Sequence, residues 1–142
     1  MSKSAVIYWS GTGNTEAMAQ AVLDGLNGAG EDAALFSADS VRAADAAQYD
    51  KLALGCPAMG AEVLEESVFE PFFTELEPLL SGKKVALFGS YGWGGGEWMN
   101  TWEDDCKSLG ANLIFDSIIC NDAPDDEALA KCEDCLLYTS DA

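Results

Sequence analysis

The chain has 142 residues, enough for one domain that buries roughly two thirds of its unfolded surface and too few for a second. It carries 25 acidic against 7 basic residues, a formal charge of −18, and no histidine. That balance excludes nucleic acid as a natural partner, because binding needs cations to replace counterions, and it removes histidine triads, His-ligated metals and histidine bases. No apolar run approaches the roughly twenty residues that span a bilayer, and Met1-Ser2-Lys3-Ser4 leads straight into a strand rather than a signal-peptide core. A soluble, cytoplasmic protein with no membrane partner is expected. The five cysteines, an odd number, sit in a chain with ample apolar residues and need no disulfide framework; Cys56 and Cys120 read as buried strand-end thiols.

The apolar runs are short, β-rich and separated by helical patterns, which predicts an α/β fold with a parallel sheet covered by helices on both faces. Strand one runs from about Ser4 to Trp9. Residues Thr15 to Asn27 place Met18, Val22 and Leu26 on one helical stripe, and Gly28 and Gly30 close that helix. Ala33 to Ser37 reads as a second strand and Val41 to Gln48 as an alanine-rich helical turn. Lys51 to Cys56 forms the third strand, ended by Pro57, which has no N–H for a ladder. A loop to about Ser67 precedes a helix starting near Glu70-Pro71, whose apolar side is Phe69, Phe72, Phe73, Leu76, Leu79 and Leu80. Val85 to Phe88 is the fourth strand, Trp98 to Leu109 the fourth helix, and Leu113 to Cys120 the fifth strand. A last helix follows from Asp125. There is no internal repeat or linker, so residues 1–142 are expected to form a single domain.

Three loops, Ser10 to Thr15, Pro57 to Glu62 and Ser90 to Glu97, follow the C-terminal ends of strands. In a parallel sheet those ends share one edge, and a crevice opens where the strand order reverses. In the first loop, Ser10-Gly11-Thr12-Gly13-Asn14-Thr15 sets small polar residues between a strand and a helix. Free N–H groups at that helix start, with the hydroxyls and Asn14 around them, suit a phosphate. The alternative is an ordinary strand-to-helix turn capped by Thr12 or Asn14. The loop lacks the Lys-Ser/Thr ending of a nucleoside-triphosphate loop, and Glu16 stands where a dinucleotide fingerprint needs its third glycine. With no Lys or Arg beside it, the cradle suits a phosphate held permanently better than one being transferred.

The other loops offer what a flat aromatic ligand needs. Met59 presents a polarizable face, Trp93 an indole face, and Gly60, Gly92, Gly94, Gly95 and Gly96 leave room beside backbone. Glu62 can accept a hydrogen bond from an imide N–H at the ring edge. A phosphate at one end and a sandwiched heterocycle at the other describe flavin mononucleotide (FMN).

Three stretches carry a specific resemblance: Tyr8-Trp9-Ser10-Gly11-Thr12-Gly13-Asn14-Thr15-Glu16, Gly55-Cys56-Pro57-Ala58-Met59-Gly60-Ala61-Glu62 and Phe88-Gly89-Ser90-Tyr91-Gly92-Trp93-Gly94. Over about residues 4–125 the chain resembles the short-chain flavodoxins. The resemblance implies a three-layer sandwich with a five-stranded parallel sheet in order 2-1-3-4-5, and FMN at the switch between strands one and three. It implies that Ser10, Gly11, Thr12, Gly13, Asn14 and Thr15 bind the phosphate. It further implies that Pro57, Ala58, Met59, Gly60, Ala61 and Glu62, with Ser90, Tyr91, Gly92, Trp93 and Asn121, bind the ribityl chain and ring. Met59 and Trp93 would flank the ring and Glu62 face its N3–H. The long-chain insertion in strand five is absent.

The implied function is low-potential one-electron transport by tightly but non-covalently bound FMN, shuttling between semiquinone and hydroquinone, in a monomer that meets redox partner proteins transiently. The acidic charge itself has two readings, steering toward basic patches on those partners or solubility alone. No metal and no substrate chemistry are expected. In that family the peptide corresponding to Gly60-Ala61 turns on reduction, and a Cβ at position 61 disfavours the turned form by about 1 kcal/mol. Ala61→Gly is therefore expected to raise the first potential by about 40 mV, at about 59 mV per tenfold. An NAD(P)H-dependent quinone or azo reductase of similar fold would need a second site that the chain is too short to build. A regulatory domain of similar topology would need a phospho-acceptor aspartate where Ser10 and Pro57 stand. Cys132-Glu133-Asp134-Cys135 falls inside the last helix among acids, where nothing activates a thiolate. The closing stretch Leu136 to Ala142 departs from the family's apolar, alanine-rich last helix and is given no function.

Overall fold

The computed structural model describes residues 3–11, 13–30, 32–58, 64–92, 96–113 and 117–134. Thr12, Met59, Gly60, Ala61, Glu62, Trp93, Gly94, Gly95 and Cys135, together with residues 136–142, lie outside the described residues.

The elements follow in the order β1 (Lys3–Tyr8), α1 (Asn14–Gly28), β2 (Asp32–Ser37), α2 (Ala43–Ala46), β3 (Lys51–Gly55) and α3 (Phe69–Leu76), which runs into a 3-10 turn (Glu77–Leu79). Then come β4 (Lys84–Tyr91), α4 (Glu97–Ser108), β5 (Asn112–Leu113), β6 (Ile118–Asn121) and α5 (Asp126–Asp134). Every described pairing is parallel, and the sheet order is β2-β1-β3-β4-β5, with β6 also paired to β4. Two described pieces of the expected fifth strand lie on the same edge of β4, Asn112–Leu113 beside Lys84–Val85 and Ile118–Asn121 beside Phe88–Tyr91, and residues 114–116 between them are outside the described residues. The expected 2-1-3-4-5 order holds.

Alternation along the strands builds two cores. Ala5, Ile7, Leu52, Leu54, Val85 and Leu87 point to one face, where Phe69, Phe73 and Leu76 of α3 and Trp98, Trp102 and Cys106 of α4 cover them. Val6, Ala53, Ala86 and Phe88 point to the other, under Met18, Ala19, Val22 and Leu26 of α1 and Cys132 of α5. Strand β3 is buried along its whole length, as a central strand covered on both faces must be. Phe69 and Phe73 both meet the Trp102 ring edge-on, with centroids at 5.4 and 5.9 Å.

Two details differ from the periodicity. Leu79, placed on the apolar side of α3, is 40% exposed, because the chain tightens into a 3-10 turn at Glu77 and rotates it outward. Cys120 is half-buried rather than buried, its Sγ 3.6 Å from Met18 Sδ. Among the described residues no helix is long and apolar enough to cross a membrane.

Candidate functional site

The sheet reverses direction between β1 and β3: β1 passes to β2 on one side and pairs with β3 on the other. The loops after β1, β3 and β4 and the turn after β6 therefore leave the same edge at the same place. Backbone bonds lock their starts together. Trp9 N–H donates to Gly55 O at 3.0 Å, Ala58 N–H to Ser90 O at 3.0 Å, and Asp122 N–H to Tyr91 O at 2.8 Å.

Gly13 holds the cap position of helix α1 at φ 97°, where a residue bearing a Cβ would be strained, and among the described residues no side chain caps the first turn. The cap position is thus not that of Asn14, and Thr12 lies outside the described residues. Ser10 shapes the loop from behind, its Oγ accepting the Gly13 N–H at 3.1 Å. The first-turn N–H groups thus face outward with the positive end of the helix dipole. Glu16, the acid of this turn, accepts the Tyr8 hydroxyl at 3.0 Å, and burial followed by that bond raises the Tyr8 pKa. Thr15 is 1% exposed and Ser90 5% exposed, and their hydroxyls lie 3.2 Å apart, so the start of α1 is tied to the end of β4.

Beside this helix start lies a cavity of about 220 Å³ lined by Trp9, Gly11, Asn14, Pro57, Ala58, Ser90, Tyr91, Gly92 and Asp122. It brings together Gly11, Asn14, Pro57, Ala58, Ser90, Tyr91 and Gly92 of the sequence-based set. Ser10, Gly13 and Thr15 stand directly behind it through the bonds just given. Asn121 lies elsewhere, on a second cavity between β6 and α5 with Ser117 and Lys131, while its neighbour Asp122 lines the first. Trp9 and Asp122 were not singled out in the sequence. Trp9 was readable as a strand-end aromatic inside the glycine loop's motif. Asp122 takes φ 58°, among the described residues the one positive φ outside glycine, and aspartate is one of the few side chains that tolerates it. Among the described residues no Lys or Arg lines the cavity.

A phosphate fits the uncapped first turn, where open space surrounds the Gly13 position, and a ring fits the apolar walls of Trp9, Pro57, Ala58 and Tyr91. Fold and site together define a doubly wound α/β protein that takes a phosphate-bearing flat cofactor at its switch point. The Flavodoxin family model matches residues 6–134. The flavodoxin of Megasphaera elsdenii is 51% identical over 126 residues, covering 89% of this chain and 91% of the relative. That of Clostridium beijerinckii is 44% identical over 133 residues, covering 94% of each. The solution structure of two-electron reduced Megasphaera elsdenii flavodoxin superposes with a TM-score of 0.83 at 47% identity, covering 92% of this chain and 97% of that one. The chain belongs to the flavodoxin family. It is an FMN-binding electron carrier and not a substrate-converting enzyme.

Proposed function

We propose that this chain acts as a single-domain, monomeric, low-potential carrier in the cytoplasm, holding FMN non-covalently by its phosphate at the start of α1. Bound FMN supplies one-electron redox chemistry; the chain supplies position and electrostatics. Ser10 to Thr15 hold the phosphate, with the N–H groups of Asn14 and Thr15 and the hydroxyls of Ser10 and Thr12 as donors, while the Gly13 N–H on Ser10 and the Thr15 hydroxyl on Ser90 shape the loop. Pro57 to Glu62, together with Ser90, Tyr91, Gly92, Trp93 and Asp122, surround the rest. The observation that carries this reading is the uncapped, Gly13-led first turn of α1 opening onto the cavity beside β1 and β3.

The potential follows from the same walls. Apolar side chains, the Asp122 carboxylate and the lack of a cation among the described lining residues all disfavour added negative charge. Partner proteins would meet the acidic surface through basic patches and leave quickly, since the attraction is long-range and screened by salt.

The phosphate anchor is testable with apoprotein. FMN should bind at least a hundredfold more tightly than riboflavin, which lacks the phosphate, as read by flavin fluorescence quenching; charge-assisted bonds at about 1.5–3 kcal/mol each supply that difference. Equal affinities would contradict the anchor.

A further inference from the structure

Strand β3 and helix α3 are joined by a connection whose first residues, Pro57 and Ala58, form part of the cavity wall. Its entry is laced to β4, Cys56 N–H donating to Phe88 O at 3.1 Å and Ala58 N–H to Ser90 O at 3.0 Å. Its exit returns to the same point. The backbone N–H of Glu65 donates to Cys56 Sγ at 3.3 Å, so the thiol ties residue 65 to residue 56 across nine positions of chain.

Glu65 does a second job. Glu65 is 5% exposed, and its carboxylate accepts the backbone N–H groups of Ser67 at 2.9 Å, Val68 at 2.7 Å and Phe69 at 2.9 Å, together with the Ser67 hydroxyl. These donors are the orphans of the α3 start, where Val68 sits at the cap position and offers no side-chain bond. Burial alone raises the Glu65 pKa; the bonds from Ser67, Phe69 and Val68 outweigh it and hold the carboxyl below its ordinary value. A Ser, Thr or Asp at position 68 would cap α3 locally. Here the cap comes instead from the residue whose own amide is fixed on Cys56. Hydrogen bonds thereby tie the helix start and residue 65 to Cys56, the residue next to the Pro57–Ala58 wall. Cys56 O also accepts the Trp98 indole N–H at 3.2 Å, which anchors the staple to α4.

We propose that Glu65 and Cys56 are positioning residues for the FMN site, holding Pro57 and Ala58 in place as the cavity wall. The proposal rests on FMN occupying the cavity described above. A wall held in place binds one redox level better than another, and the reduction potential reports that ratio; loosening the wall costs affinity and changes the ratio.

The test compares Glu65→Gln with Glu66→Gln, an exposed neighbour whose change removes the same charge without touching the cap. Cys56→Ala and Cys56→Ser form a second pair, since serine keeps an acceptor for the Glu65 amide. FMN dissociation constants of the apoproteins, first reduction potentials and apoprotein melting temperatures are read for each. Glu65→Gln should weaken FMN about tenfold and change the ratio of affinities for the two redox levels about threefold, which is about 28 mV at 59 mV per tenfold. Glu66→Gln should leave both within twofold. Cys56→Ala should move both readouts in the direction of Glu65→Gln, and Cys56→Ser should recover most of the loss. A lower melting temperature for Glu65→Gln with affinity and potential unchanged would overturn the proposal, leaving a helix cap only. Equal effects at Glu65 and Glu66 would overturn it in favour of charge alone. Should Glu65→Gln fail to fold, the Cys56 pair decides: indistinguishable Ala and Ser variants overturn it. Wild-type apoprotein that binds no FMN would instead overturn the cofactor reading itself.

Discussion

At the scale of single residues, the buried acids set the pH range in which the fold holds. Burial pushes the thiols of Cys56, Cys106 and Cys132 up to about 12, with nearby carboxylates adding to the shift. In the unfolded chain the same thiols ionise near 8.5. Above that value the unfolded state holds fewer protons than the folded one, so stability is complete below about pH 8.5 and falls as pH rises toward 12. Glu65 has the opposite sign. Its folded pKa is lowered, so its contribution is present above about pH 4.3 and lost as pH falls through the lowered value. Urea unfolding at a series of pH values should give a plateau between these limits and a decline above about pH 8.5. Replacing Cys56 with serine should shallow that alkaline decline, and an unchanged slope would contradict the assignment. The same burial keeps Cys132 protonated at neutral pH, so the Cys132–Cys135 spacing carries no activated thiolate at its described member.

At the scale of elements, the contact of α1 with α5 turns on one glycine. A Cβ at Gly25 would stand 2.0 Å from the backbone O of Glu133, and a backbone atom cannot swing aside. Alanine is favoured over glycine inside a helix by about 1 kcal/mol, but here the clash outweighs propensity. Gly25→Ala should destabilise by about 2–3 kcal/mol. Gly28→Ala, at the end of the same helix with nothing within 4 Å, should be neutral or gain up to about 1 kcal/mol. Chemical denaturation of the two variants checks both signs. The elements themselves were largely legible in the sequence, because each strand of the sheet centre is a short apolar run with its own turn signals. Lys51 to Gly55 needs no tertiary information to be read as a buried strand. Leu79 fits the α3 stripe by spacing and leaves it only because the helix tightens at its end. The site divides in the same way. The glycine loop is local and readable, whereas Trp9, Asp122 and the Cys56–Glu65 staple depend on which strand ends the topology brings together. In the sequence Glu65 is one acid among 25.

At the scale of the whole molecule, a formal charge of −18 on 142 residues governs encounter. A carrier must meet two partners in turn and hold neither, which favours long-range attraction over a large apolar contact. Reduction by a basic partner protein should slow at least tenfold between about 0.01 and 0.3 M ionic strength, as followed by stopped-flow absorbance, and a rate independent of salt would exclude acidic steering. The central claim concerns what the cavity beside α1 holds and does. An anaerobic reductive titration of the purified protein, watched by absorbance with potentials recorded, tests it most directly. The account predicts a flavin spectrum at the outset and two separated one-electron steps, the second strongly negative. A colourless protein, a single two-electron step, or direct oxidation of NADPH would contradict it.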